Sequence, residues 1–330
     1  MSARLLVGVL RDPASVAGLD ARRWNALIAA ARAERLIGTL AMRLEDMPVP
    51  DAVCPILADA RLDADREARG ALWEADRMRA ALAGLGARAV LLKGTAYAAA
   101  SLRAGEGRFI GDLDILVPRD RLDEVEAALF AAGWEWVKPD PYDDDYYRQW
   151  MHELPPMIHR TRDRMIDVHH TILPLTARQT PDASAMIADA VPTKDGFLLL
   201  APEDRVCHAA AHMLADGDLA GGLRNLWDIH CLMADVEPQA LEARARHHGL
   251  LRHVRQARRI AGGLYGLDAQ KLTLVDRLVS ARLLARDEWG RETRKLLRFA
   301  FYLRSHWLRM PPMMLARHLW TKWRKGHRPV

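Results

Sequence analysis

The chain has 330 residues, 50% of them hydrophobic and 28% charged, with three cysteines. That composition excludes a mainly disordered chain and a small disulfide-stapled scaffold, and the length suggests about two domains. The formal charge of +5 hides an asymmetry: residues 291–330 hold eleven Lys and Arg against one acid, Glu292, which puts the tail at +10 and residues 1–290 at −5. An acidic body with a basic tail makes no whole-protein case for nucleic-acid binding.

No apolar run approaches the roughly 18 residues of a spanning helix. The start, MSARLLVGVLRDP, is too brief an apolar stretch for a secretory leader. Cys54, Cys207 and Cys231 lie far apart without a CxxC pair, and read as reduced, packed thiols of a cytoplasmic protein.

Taken in chain order, residues 1–80 read as helical. One helix covers Asp20 to Leu44, Met47-Pro48-Val49-Pro50 breaks it, and a second runs from Asp51 to about Leu82. The pattern then changes. Ala89 to Leu92 is a short apolar run expected as a buried strand, and Thr95 is expected to cap a helix reaching Arg103. Leu113, Ile115 and Val117 alternate with Asp112, Asp114 and Leu116, as in a strand with one functional face. A helix over Arg119–Ala132, a strand over Trp134–Val137 and a polar loop, DPYDDDYY, follow. Met157–Arg160 and Met165–Thr171 are expected to form a hairpin. From about Ser184 the helical pattern returns, with helices expected over 203–215, 223–233, 239–247, 251–264, 271–284, 291–307 and 314–323.

Three features of the middle segment belong together. Lys93-Gly94-Thr95 joins a strand to a helix, where glycine lets a phosphate approach and free N–H groups point outward. Asp112 and Asp114 are two apart on a strand, so they share a face, and their repulsion is costly unless cations fill the gap. Magnesium, a hard ion held by carboxylates and phosphates, meets that need. Asp167 lies on a later apolar strand and offers a third carboxylate. The competing reading for each acid is a solvated strand position.

These residues resemble the polymerase-β-like nucleotidyltransferases. More closely, LLKGTAYAAASLR, then R-x3-DLDILV, IDVHH and L-x-P-E-D-x7-H, are similar to the uncharacterised bacterial nucleotidyltransferase family over about residues 20–310. Gly94-Thr95 stands where the superfamily usually has Gly-Gly or Gly-Ser. The resemblance implies an α/β (α+β) fold: a small mixed-sheet core at 85–180, flanked by an N-terminal helical segment at 1–84 and a C-terminal helical domain with a basic tail at 181–330. It implies transfer of a nucleoside monophosphate from an NTP, ATP foremost, with release of pyrophosphate. Asp112, Asp114 and Asp167 would bind two magnesium ions, with manganese as a substitute, and act as the catalytic residues. Lys93, Gly94, Thr95 and Arg108 would bind the nucleotide. The acceptor is left open between a small molecule, a protein and an RNA end. A non-catalytic nucleotide-binding or scaffold protein of the same fold is the alternative.

Other candidates are weighed beside these. His208 and His212 are four apart on an expected helix and His230 follows, which permits a zinc site, but no fourth ligand is evident and packing or interhelical hydrogen bonding is the favoured reading. His212 also matches a family histidine, and His169 shares the face of Asp167, so both are candidates near the site. Asp140, Asp143, Asp144 and Asp145 with three tyrosines read as a solvated loop, with calcium binding or a lid as the alternative. His152 and Glu153 receive no role. The tail, residues 306–330, mixes tryptophans with Arg and Lys: it packs as the last helices, lies on a membrane surface, or meets an acidic partner such as nucleic acid.

Overall fold

A computed structural model describes residues 2–138, 141–266, 271–309 and 320. Its centre is a seven-stranded mixed sheet. The strands are β1 (Val90–Leu91), β2 (Asp112–Leu116), β3 (Trp134–Trp136), β4 (Met157–His159), β5 (Met165–His169), β6 (Val191–Pro192) and β7 (Leu198–Leu199). Their order is β3-β4-β5-β2-β1-β7-β6. β2 and β5 run parallel at the middle, while β1 is antiparallel to β2 and parallel to β7.

Burial explains the middle position of β2. Leu113, Ile115 and Leu116 are buried, and Asp114 is buried among them, so the strand lacks a water-facing side beyond Asp112. Each fully buried aliphatic side chain contributes roughly 1.5–3 kcal/mol. The expected hairpin forms between β4 and β5, with Met157 opposite Ile166. Its turn is tied to the 29-residue helix Cys54–Leu82. Arg162 from the turn makes a fork to buried Glu74 at 2.7 and 2.9 Å, and lies 4.6 Å from the Trp134 ring centroid.

Several elements depart from expectation. The helix over Asp20–Leu44 is two helices, Ala21–Ala33 and Ile37–Arg43, because Arg35 adopts a left-handed φ of 55° that no continuous helix contains. The loop around 140–147 is a helix, Pro141–Trp150. Proline suits a first helical turn, and Arg148, braced by Asp144 of its own helix, docks the helix by pairing with Glu126 at 2.7 Å. Asp140 lies outside the described residues, as do the side chains of Tyr142, Asp143 and Asp145. The helical reading from Ser184 onward missed β6 and β7, since two-residue strands leave no periodicity to detect. The helix expected at 314–323 lies outside the described residues apart from Trp320, and so does most of the 306–330 tail, whose first residues end the helix Lys295–Arg309.

The helices flanking the sheet on the two sides of the sequence meet one another. Glu34 is buried against Arg286 at 2.7 Å, and Thr39 accepts from Arg224 at 2.6 Å. All three cysteines are free, with Cys207 and Cys231 buried. Among the described residues no helix is long and apolar enough to cross a membrane.

Candidate active site

The register of β2 and β5 builds the site. Asp114 lies directly opposite Asp167 on the neighbouring strand. Asp112 precedes Asp114 by two, so the pleat turns all three carboxylates to one face. One oxygen from each lies within 4.8 Å of the others. Asp112 is exposed, Asp167 half-buried and Asp114 buried.

Asp114 and Asp167 experience opposite environments. Lys93 Nζ lies 2.5 Å from Asp114 Oδ1, and His169 Nε2 lies 3.0 Å from the same oxygen. Burial alone would raise the Asp114 pKa, but the Lys93 ammonium and the His169 contact outweigh it and hold the carboxyl well below the usual range. Burial likewise pulls Lys93 down, and the Asp114 charge reverses that into a net rise. Asp167 has no such cation. Burial, then the charges of Asp114 and Glu153, push its carboxyl up to about 7. Its Oδ1 is buried without a hydrogen-bond partner. Three convergent hard oxygen donors, one of them orphaned, fit a magnesium-type cation.

The turn before the site is strained in a telling place. Lys93 has φ +47°, although it is not glycine, and the Leu92 N–H donates to the Asp114 carbonyl at 2.9 Å. The ion pair to Asp114 and this bond hold the turn. Thr95 does not cap the helix Lys93–Ala99, contrary to expectation. The cap position is Leu92, without a side-chain bond, and Thr95 sits within the first turn, buried, its Oγ1 unpartnered. Gly94 faces Arg108: a Cβ there would come within 2.7 Å of Arg108 Nε. The required glycine is thus explained by the arginine packed on it.

Arg108 is a half-buried wall residue. It pairs closely with Asp228, which also accepts from Arg224 at 2.5 and 3.0 Å. Arg224 in turn bonds Thr39 and the Ala104 carbonyl. This network joins the N-terminal helices, the loop before β2 and the helix Gly222–Met233.

Beside the acids lies a cavity of about 200 Å³ lined by Arg35, Lys93, Tyr97, Arg108, Asp112, His208, His212, Asn225 and Asp228, among others. Burial drops the His212 imidazole to about 3, with the Lys93 charge adding to it, and pushes His208 well below its ordinary value for the same reasons. Both line the cavity as neutral imidazoles at neutral pH. His230 is elsewhere, tilted against both Trp227 and Tyr265, so it joins no cluster with them.

A family model described as "Uncharacterised nucleotidyltransferase" matches residues 20–266, most of the chain and all of the site's acids. The chain belongs to that family. It is a nucleotidyltransferase, a transferase that moves nucleotidyl groups. No curated protein matches it. Among solved structures, it is similar to the crystal structure of ANT(2")-Ia in complex with adenylyl-2"-tobramycin, at 12% identity and a TM-score of 0.37, over 54% of this chain and 97% of that one. It is similar too to the solution structure of the antibiotic-resistance factor ANT(2'')-Ia, at 14% identity and a TM-score of 0.37, over 56% and 96%. These likenesses are too distant to bear on this nucleotidyltransferase's own substrate.

The nucleotidyltransferase's site includes residues that the sequence did not mark. Arg35 and Asn225 come from flanking helical segments and carry no motif. Asp228 had one available signal, its spacing of four from Arg224, which permits an ion pair on a helix. Glu153 and His152 reach His169 through an isolated bridge between Glu153 and His169, a contact without any sequence signature.

Proposed function

We propose that this protein transfers a nucleoside monophosphate from an NTP, ATP foremost, to an acceptor hydroxyl with release of pyrophosphate. The observation that carries the reading is the convergence of Asp112, Asp114 and Asp167 beside a basic cavity. These three would hold two magnesium ions. Bound there, the ions would neutralise phosphate charge and polarise the entering and leaving oxygens.

The protein's own groups divide the remaining work. A cavity of about 200 Å³ is smaller than the roughly 300–1,000 Å³ that encloses a whole drug-sized ligand, so it suits a phosphate chain better than a complete nucleotide. Arg35, exposed at its mouth, and Lys93 would meet the phosphates, with Arg108 holding the wall. The Thr95 hydroxyl, buried and unpartnered, and the Gly94 backbone would complete the cradle. Asp167 would take the acceptor's proton as its oxygen attacks the α-phosphorus and the bond to the β-phosphate breaks. The segment 181–330 would build the acceptor side, through His208, His212 and Asn225. The acceptor class, a small molecule, a protein or an RNA end, is for the assay to decide.

The test is incubation with α-labelled ATP, magnesium and an acceptor panel. The wild-type protein should form labelled product and pyrophosphate. The double variant Asp112→Ala, Asp114→Ala should form neither. Equal turnover by both proteins would overturn the assignment.

A further inference from the structure

A second donor cluster adjoins the three aspartates and has no part in the reading above. His152, Glu153 and His169 offer one ligand atom each, all within 4.8 Å of one another. Both histidines are buried, and Glu153 is largely so. The backbone fixes them: Glu153 bridges to His169, and the His170 N–H donates to the His152 carbonyl at 2.9 Å.

Asp114 is an ion-paired carboxylate and can only accept, so His169 donates to it through Nε2 at 3.0 Å. The other ring nitrogen, Nδ1, is buried without a hydrogen bond and lies 3.4 Å from Glu153 Oε2. Here a second imidazole is delivered to the same oxygen: His152 Nε2 lies 3.7 Å from Glu153 Oε2, and the two rings stack with centroids 5.2 Å apart.

We propose that His152, Glu153 and His169 form a binding site for a borderline divalent cation of the zinc class, separate from the three-aspartate site and joined to it by the His169–Asp114 hydrogen bond. Two imidazoles and one carboxylate are a donor set that zinc takes in open, three-ligand centres, whereas magnesium prefers oxygen alone. Ligands about 2.0–2.1 Å from a tetrahedral zinc lie about 3.4 Å from one another. The observed spacings of 3.4 and 3.7 Å to the Glu153 oxygen match that figure. The pairing of His169 with Asp114 supplies the outer carboxylate that commonly orients a metal-bound imidazole.

The test needs no nucleotide and stands apart from the transferase reading. The full chain, stripped with chelator and saturated with magnesium, is titrated with zinc by calorimetry, and with cobalt by visible absorption. One zinc per chain should bind, and cobalt should develop the intense d–d bands of a low-coordinate nitrogen–oxygen site. His152→Ala and Glu153→Gln should each weaken zinc by more than about 100-fold, beyond the cost of losing an outer-shell partner. Asp112→Ala and Asp167→Asn should keep the zinc. Glu153→Gln preserves side-chain shape, so it carries the test if His152→Ala fails to fold by circular dichroism. Absence of stoichiometric zinc, or zinc lost with Asp112→Ala and kept with Glu153→Gln, would overturn the proposal. So would a protonated His169 Nδ1 seen by nitrogen NMR at neutral pH in the zinc-treated protein.

Discussion

Replacing Asp167 by Asn should stabilise the metal-free protein at alkaline pH. The carboxylate is half-buried, orphaned at Oδ1 and set beside Asp114 and Glu153, which together with burial raise its pKa from 3.8 to about 7. A raised carboxyl pKa means that the folded state binds the proton more tightly than the unfolded one. Stability is therefore greatest below the unfolded pKa and falls as pH rises towards 7. At 1.36 kcal/mol per pH unit the full effect is about 4 kcal/mol, and solvent screening of a partly exposed group cuts this to about 2. Asn mimics the neutral acid, so Asp167→Asn should gain about 2 kcal/mol over wild type at pH 8 in chelator, or about 3 °C in Tm. The gain should shrink between pH 7 and pH 4. Added magnesium should stabilise wild type and close the gap. Urea melts at pH 8 and pH 5, each with chelator or magnesium, measure all of this. A variant less stable than wild type at pH 8, or a gap independent of pH, would refute the account of Asp167 as a charge held at a cost for function.

Arg35→Ala should weaken ATP binding about 10-fold or more, the worth of one charge-assisted hydrogen bond, with an unchanged Tm because the side chain is exposed; equilibrium binding with magnesium checks it. Glu74→Ala should cost about 1.5–3 kcal/mol by leaving half-buried Arg162 without its fork, measured by denaturant melts, and Glu74→Gln should cost less. Asp228→Ala strands both Arg108 and Arg224, so it should lower stability and activity together, while Asp228→Asn should restore part of each. Gly94→Ala should displace Arg108 and raise the KM for ATP more than it lowers the Tm, read by steady-state kinetics and thermal melts.

The sequence by itself determined the elements that have a period or a motif. Alternation over 112–117 placed Asp112 and Asp114 on one face, and the apolar setting of Asp167 marked a second inner strand. Together with Lys93-Gly94 these residues carried the family resemblance that implied nucleotidyl transfer. Local pattern carries such information because a strand's pleat and a helix's turn are fixed by neighbours in the chain. Other features were invisible for a physical reason. The pairing of Asp114 with Asp167 depends on the register of two strands 53 residues apart. The engagement of Arg108 by Asp228 depends on a helix packed from 120 residues away. The break at Arg35 and the turn at Lys93 are backbone conformations that only their surroundings can enforce. Two-residue strands such as β6 and β7 exist only because a sheet edge is there to receive them. The tertiary structure also set the chemistry of like residues apart. Three aspartates that read alike in the sequence become one exposed acid, one ion-paired acid and one acid whose pKa is raised, because burial and the position of Lys93 decide where each charge is compensated.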